Sequence, residues 1–426
     1  MNNDRRHRSN RQEMPKTVKV TMYNVGFGDS FLLTAVYDNK KRHVLIDCGS
    51  SSEKKEHMAR VVEQIEQDCE GHLDAVVATH RHSDHISAFG LAGIGNKLKA
   101  LKPKLVIQPW TEHPDADASA ISAPSNLSQK ELKHLFGLKD AQKFVEILVY
   151  NPGQVMAAAG PQVSKQIARI ASLSIYNKKA IIKLTEMGEK HEYVHAGMKT
   201  GLGKLLPGVN VTVLGPPTLE QSQEIRHQTR WDEDEFWKLY ARVASASSTN
   251  IHSKKGKSQL FPDAQTYAVG RAPSYVRWVI NQLDRAQFHN VKRIVRILDN
   301  ALNNTSVILL FEVGDKTLLF PGDAQLESWQ YALSKKRWRE KLSQVSLYKV
   351  GHHGSTNATP KSLWQLFENR DSTGKNLFSL LSTERGHHSG VPRGSLVKAL
   401  DSQTKLDNTQ KWRRKLSEEY IVYERQ

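Results

Sequence analysis

Apolar and polar residues alternate in three runs near the start of the chain, TVKVTMYNV, SFLLTAVYD and KRHVLIDCG. A glycine turn (Gly26, Gly28) and the polar DNKK separate them. A period of two turns one face of an extended segment inward, so residues 17 to 47 are read as three strands. Between 53 and 69 the period lengthens to helical spacing, with Met58, Val61, Val62 and Ile65 on one face. HLDAVVATH and KPKLVIQPW are continuous apolar runs, the pattern of buried strands. From about 111 to 185 the pattern becomes helical and irregular, with polar loops such as DADASAISAPSNLS, and reads as an insertion. Strand character returns in GVNVTVLGPP. A second insertion, about 218 to 285, carries the charged helix WDEDEFWKLYARVAS and the loop SSTNIHSKKGKSQ. TSVILLFEVG and KTLLFPGDA then form a hairpin across Gly314 and Asp315, residues 325 to 342 are helical, and VSLYKVGHHGS and NLFSLLST are the last strands.

This pattern predicts an α/β domain over 17–400, preceded by a disordered basic lead-in (1–16) and followed by a basic C-terminal tail (401–426). The lead-in, MNNDRRHRSNRQEMPKT, has no apolar core and is not a secretory signal. No apolar run approaches the roughly 18 to 20 residues of a membrane span, so no membrane partner is expected. Cys48 and Cys69 belong to no CxxC pair, which excludes a disulfide framework and a thiolate zinc site and suits a reducing cytoplasm. Lysine and arginine exceed aspartate and glutamate by 17, a balance that favours an anionic partner, nucleic acid among them. Basic residues cluster at Lys254, Lys255 and Lys257, at Lys292, Arg293 and Arg296, and at Lys335, Lys336, Arg337 and Arg339. No DNA-reading module is present. The insertions offer surface for a protein partner, and oligomeric state leaves no signal in the sequence.

The chemistry concentrates in ATHRHSDHISAFG, where His80, His82, Asp84 and His85 follow a strand directly. His80 and His82, two apart on extended backbone, can face the same way, and Asp84 and His85 lie one turn further on. Imidazole nitrogens and carboxylate oxygens suit a borderline divalent ion, and two such groups side by side can hold two ions. PGDA places Asp323, GHHGS places His352 and His353 between Gly351 and Gly354, and LIDCGS places Asp47, each after an apolar strand. Polar ligand types at the ends of several strands point to one shared site at a sheet edge.

LIDCG, THRHSDH, PGDA and GHHGS, in this order, resemble the metallo-β-lactamase superfamily of binuclear metallohydrolases. YNVGFGDSFLL, NNTSVILLFEVGDKTLLFPGDA and LYKVGHHGS resemble more closely its ComEC-like branch, the hydrolase domain of the bacterial DNA-uptake channel and its stand-alone relatives. The resemblance covers roughly residues 17–110, 205–217 and 295–400. It implies a four-layer αββα sandwich, interrupted here by the two helical insertions that lie outside the resemblance, with two divalent ions, Zn2+ or Mn2+, at one edge. His80 and His82 would bind the first ion, Asp84 and His85 the second, and Asp323 would bridge them. His353, or its neighbour His352, would complete the second site, and Asp47 would orient a ligand histidine. Most members place a further histidine before the Gly-Asp strand. Here DNALNNTS puts Asn303 or Asn304 in that place, which implies a more weakly held first ion. Asp29 and Ser30 of GFGDS would face the same edge, as would Ser355. His387 and His388 of RGHHSGVP match a histidine suited to contact a phosphate or protonate a leaving group, which makes them, with the metal-site Asp84, the candidate catalytic residues.

The expected activity is metal-dependent hydrolysis by an activated hydroxide, directed at a phosphodiester in nucleic acid or a nucleotide. Two other readings stay open: hydrolysis of a small ester (a lactone, thioester or phosphocholine group), and a metal-containing binding or regulatory module of a multi-protein system. No GxSxG, P-loop or catalytic-cysteine motif supports a covalent nucleophile or an NTPase.

Overall fold

The computed structural model describes residues 13–113, 177–218, 221–222, 302–371, 373, 376–387, 390–412 and 415–425. The chain divides into two compact units. The second, 117–176 with 223–301, lies outside the described residues, as do most of both expected insertions and the basic clusters at 254–257 and 292–296.

In the first unit β1 (Thr17–Tyr23), β2 (Ser30–Val36) and β3 (Lys41–Cys48) form an antiparallel meander. Helix α1 (Lys55–Asp68) leads to β4 (Ala75–Val77), and α2 (Ser83–Gly90) and α3 (Ile94–Ala100) lead to β5 (Leu105–Pro109). Helix α4 (Lys178–Glu186) and β6 (Lys190–Val194) follow, then α5 (Leu202–Leu205) and β7 (Asn210–Gly215). The predicted hairpin is β8 (Ile308–Val313) and β9 (Lys316–Phe320), turning at Gly314 with φ 55°. After α6 (Leu326–Ser334) and α7 (Lys336–Ser343) come β10 (Leu347–Lys349), α8 (Lys361–Leu366), β11 (Phe378–Leu381), α9 (Gly394–Gln403), β12 (Lys405–Asn408) and β13 (Ser417–Glu424).

Two sheets result, with strand orders β13-β1-β2-β3-β4-β5-β6 and β12-β11-β10-β9-β8-β7. Alternation along the strands sorts the core into three apolar layers. Val44, Ile46 and Ile107 of the first sheet meet Phe311, Phe320 and Leu380 of the second between the sheets. Leu45, Val76 and Val106 turn the other way, onto α1–α4. Leu310, Leu319 and Tyr348 turn outward from the second sheet onto α6–α9. Helices, sheet, sheet, helices is therefore the layering of this unit, the αββα sandwich expected from the sequence.

Two boundaries differ from the reading of the sequence. Residues 178–186, assigned there to the first insertion, bury Ala180 and Leu184 in the helical layer over the first sheet. The segment expected as a basic tail contributes a strand to each sheet: β12 pairs with β11, and β13 closes the first sheet against β1. Its SEEYIVYE pattern is half exposed, as at any sheet edge, and so gives a weak signal in isolation. Among the described residues no helix is long and apolar enough to cross a membrane.

Candidate metal centre

The site lies where strands of both sheets end. β3, β4 and β5 run parallel, as do β9, β10 and β11, so the carboxyl ends of each group emerge on one side. The backbone N–H of Val307 donates to the Thr79 carbonyl at 2.9 Å, which joins the end of β4 to the start of β8. Open α/β sheets commonly place their ligands at such strand ends.

Thr79, His80 and Arg81 leave β4, and His82 opens α2, so Asp84 and His85 occupy the helix's first turn. Asp47 follows Ile46 of β3 in the left-handed region, φ 56°. Its carboxylate is fully engaged, accepting from the Thr79 backbone N–H and hydroxyl, both at 2.7 Å, and from His85 Nδ1 at 2.8 Å. That last bond places the His85 proton on Nδ1 and leaves Nε2 free to act as a ligand. Asp323 follows Gly322, whose φ of 54° favours glycine and whose Cβ, if present, would lie 2.9 Å from the Thr79 side chain. His352 and His353 adopt φ 45° and 48° in succession, an uncommon conformation for side-chain-bearing residues and a cost of order 1 kcal/mol each. Ser355 closes that turn, its N–H donating to the His352 carbonyl at 2.9 Å. His353 Nδ1 donates to the Ser382 carbonyl at 3.0 Å and turns Nε2 toward Asp84, whose Oδ2 is 3.1 Å away.

Segments hundreds of residues apart thus converge. Asp84, His85, Asp323 and His353 each offer a donor atom, all within 4.8 Å of one another. His85 Nε2 stands 3.1 Å from Asp323 Oδ1, and His352 Nε2 3.7 Å from Asp323 Oδ2. The His80 ring packs at 4.6 Å from that of His82 and 4.1 Å from that of His85. Among the described residues, His80 Nε2 and both carboxylate oxygens of Asp323 are buried without a hydrogen-bond partner. Buried polar groups left unsatisfied are costly, so such a set demands an occupant. Nitrogen and oxygen donors in this mixture fit a divalent cation.

The proton distribution agrees. Burial pushes His80 well below its ordinary value and His82 down to about 4, so both are neutral imidazoles, the form that binds metal. Burial also opposes charge on His85 and His353, but Asp323 with Asp47 on the former, and Asp323 with Asp29 on the latter, outweigh it and raise both. Protons on these two rings balance carboxylates that a bound cation would otherwise neutralise. Burial alone would raise Asp323, but His85, His352 and His353 hold it well below the carboxylate range.

Other residues singled out in the sequence divide. Asn304 is committed to the fold: its Nδ2 donates to Glu327 at 2.8 Å and its Oδ1 accepts from the Gln325 N–H at 3.2 Å. Asn303 is fully buried with neither side-chain polar atom bonded, three residues before Ser306, whose Oγ accepts from the Asp323 N–H at 3.1 Å. Asp29 is buried beside His85 Nδ1 at 3.6 Å and His353 Nδ1 at 3.7 Å. His387 sits at the rim, its Nε2 3.0 Å from Ser51 Oγ and its ring 4.9 Å from Phe27, which in turn stacks at 4.3 Å on His353. His388 lies outside the described residues.

Three groups at the site escaped the sequence reading. Phe27 is the ring between His387 and His353. Arg81, between two candidate ligands, pairs with buried Glu112 at 3.2 Å. Lys349 is buried and ion-paired with Asp29. The signal for Lys349 was available, because a lysine inside the apolar run VSLYKVG needs a reason.

No curated protein matches the chain. A family model described as the metallo-beta-lactamase superfamily matches residues 23–149, a span that holds Asp29, Asp47 and the His80–His85 cluster.

Proposed function

We propose that this chain is a metal-dependent phosphodiesterase acting on nucleic acid or a nucleotide. The observation that carries the reading is the buried convergence of Asp84, His85, Asp323 and His353 within 4.8 Å, with His80 and His82 packed against it. Two divalent ions, Zn2+ or Mn2+, are the cofactors that this donor set suits: Asp84, His85, Asp323 and His353 would hold one, and His80 and His82 would serve the other. Bound there, such ions lower the pKa of water toward neutrality and neutralise charge developing on a phosphoryl oxygen.

The chain's own residues supply the rest. Asp47 holds His85 in the ligand tautomer. His387, one aromatic ring away from His353, is placed to hand a proton to a departing oxygen, with Ser51 fixing its ring. Asn303 brings an uncommitted amide to the missing-histidine position, where its Nδ2 can donate to a water or a substrate oxygen. An excess of 17 basic over acidic residues favours a polyanion.

The test is to load the purified chain with Zn2+ or Mn2+ and measure cleavage of bis(p-nitrophenyl) phosphate, single-stranded DNA and RNA beside a panel of lactones, thioesters and phosphocholine esters. Phosphodiester cleavage that His82→Ala and Asp323→Ala abolish is expected. Cleavage confined to the small esters, or variants as active as the wild type, would overturn the reading.

A further inference from the structure

A second grouping of donor atoms lies directly behind the first. Asp29, Asp47 and His85 also come within 4.8 Å of one another, all buried. His85 belongs to both groupings, through Nε2 toward Asp323 and through Nδ1 toward Asp47. A divalent ion entering the inner grouping would have to take Nδ1, displace its proton and break the bond that orients the ring. Yet the inner grouping carries two buried carboxylates, and among the described residues Asp29, apart from Lys349, has no hydrogen-bond partner for either oxygen.

Lys349 reaches this point from the end of β10. It is 3 % exposed, its ammonium is paired with Asp29, and it donates to the Gly322 carbonyl at 3.3 Å. Asp323 Oδ1 is 3.8 Å away.

We propose that Lys349 is the resident cation of the inner grouping, a positioning residue that neutralises Asp29 and so reserves His85 and Asp323 for metal in the outer one. The inference rests on the metal reading above. A buried cation without a counter-ion, or the reverse, is strongly destabilising, whereas removing both partners of a buried pair together is often tolerated. The two substitutions therefore separate the pair's charge from its mere presence.

In Lys349→Met, Asp29 is left without a counter-ion. The expected result is one further equivalent of divalent ion per chain by elemental analysis after Co2+ loading, with a changed Co2+ visible absorption spectrum. In Lys349→Met/Asp29→Asn, which removes both charges, wild-type stoichiometry and spectrum return. A single variant that is insoluble while the double one is soluble with the wild-type spectrum supports the same conclusion. Lys349→Met indistinguishable from wild type in both readouts overturns the inference alone. So does a double variant that departs from wild type. Wild-type protein that takes up no divalent ion overturns the metal reading and this inference with it.

Discussion

His85 Nδ1 lies 2.8 Å from Asp47 Oδ2, and that same carboxylate also holds the backbone and hydroxyl of Thr79 at 2.7 Å. One buried anion thus fixes the tautomer of a candidate ligand and the exit of the strand that carries two more. Asp47→Asn keeps the shape but offers an amide in place of one carboxylate oxygen, so the Nδ1 proton loses its acceptor or the amide must flip. The expected cost is about 10- to 100-fold in Zn2+ or Co2+ affinity, the usual size for a group bonded behind a metal ligand. Competition titration against a chromogenic chelator reads it directly, and an unchanged affinity would remove Asp47 from the site.

Close backbone approach is a separate requirement. A Cβ on Gly28 would lie 2.6 Å from the Asp84 carbonyl, with the Gly49 carbonyl closer still, and the next residue's N–H donates to that Asp84 carbonyl at 2.8 Å. Gly28→Ala must push the first turn of α2 outward, and Asp84 and His85 with it. We expect metal affinity to fall at least tenfold. Gly203→Ala, at a helical glycine with nothing within 4 Å of the added carbon, serves as the control and should leave binding unchanged. Equal affinities in the two variants would mean that the turn around Gly28 does not set the ligand geometry.

Much of this arrangement was legible in residue order, for physical reasons. Strands buried on both faces must be apolar throughout, so a histidine or aspartate just past such a run is conspicuous, as with His80, Asp323 and His353. The hairpin at Gly314 was equally plain, since alternation on both sides brackets a turn. Lys349 and Phe27 were not found, because their roles exist only once β10, the β1–β2 turn and the β9 exit meet in space. β13 escaped for a related reason. Its partner β1 lies about 400 residues away, joined through contacts such as Lys19 Nζ to Glu419 at 2.9 Å, and an edge strand buries too little to announce itself. The split of the 325–342 helix at Lys335 was also invisible, since each half keeps helical spacing on its own.

Acid sensitivity should arise away from the metal centre as well. Burial, assisted by His72, pushes His43 down to about 4, and its Nδ1 shares a 3.1 Å hydrogen bond with Thr34 Oγ1. Between pH 6.5 and 4 the unfolded chain therefore takes up a proton that the folded chain refuses, so stability falls as pH drops through that window. The loss between pH 6.5 and 5 is about 1.5 kcal/mol for this one residue. Urea unfolding at both pH values, with EDTA present throughout, should show His43→Asn losing less stability on acidification than wild type. Parallel pH dependences would show that the imidazole charges without cost.

The C-terminal strand ties the two sheets together at their edges. Tyr420 of β13, at the edge of the first sheet, donates its hydroxyl to Asp407 Oδ2 at 2.6 Å, and Asp407 belongs to β12 at the edge of the second. Trp412 Nε1 donates to the other oxygen at 2.8 Å, so the carboxylate is held from both sides. A hydrogen bond to a charged group contributes about 1.5 to 3 kcal/mol, and partial exposure places this one near the lower figure. Tyr420→Phe should therefore lower unfolding stability by about 1.5 kcal/mol and leave metal affinity unchanged, because neither Tyr420 nor Asp407 is among the candidate ligands. Deleting residues 417–426 is the harsher form of the same change: it uncovers the N–H and C=O groups of β1, an edge on which further chains can pair. Aggregation of the truncated chain, read by light scattering, is the expected outcome. A monodisperse truncated protein with the wild-type unfolding midpoint would show that β13 is an accessory to the sandwich and not part of its closure.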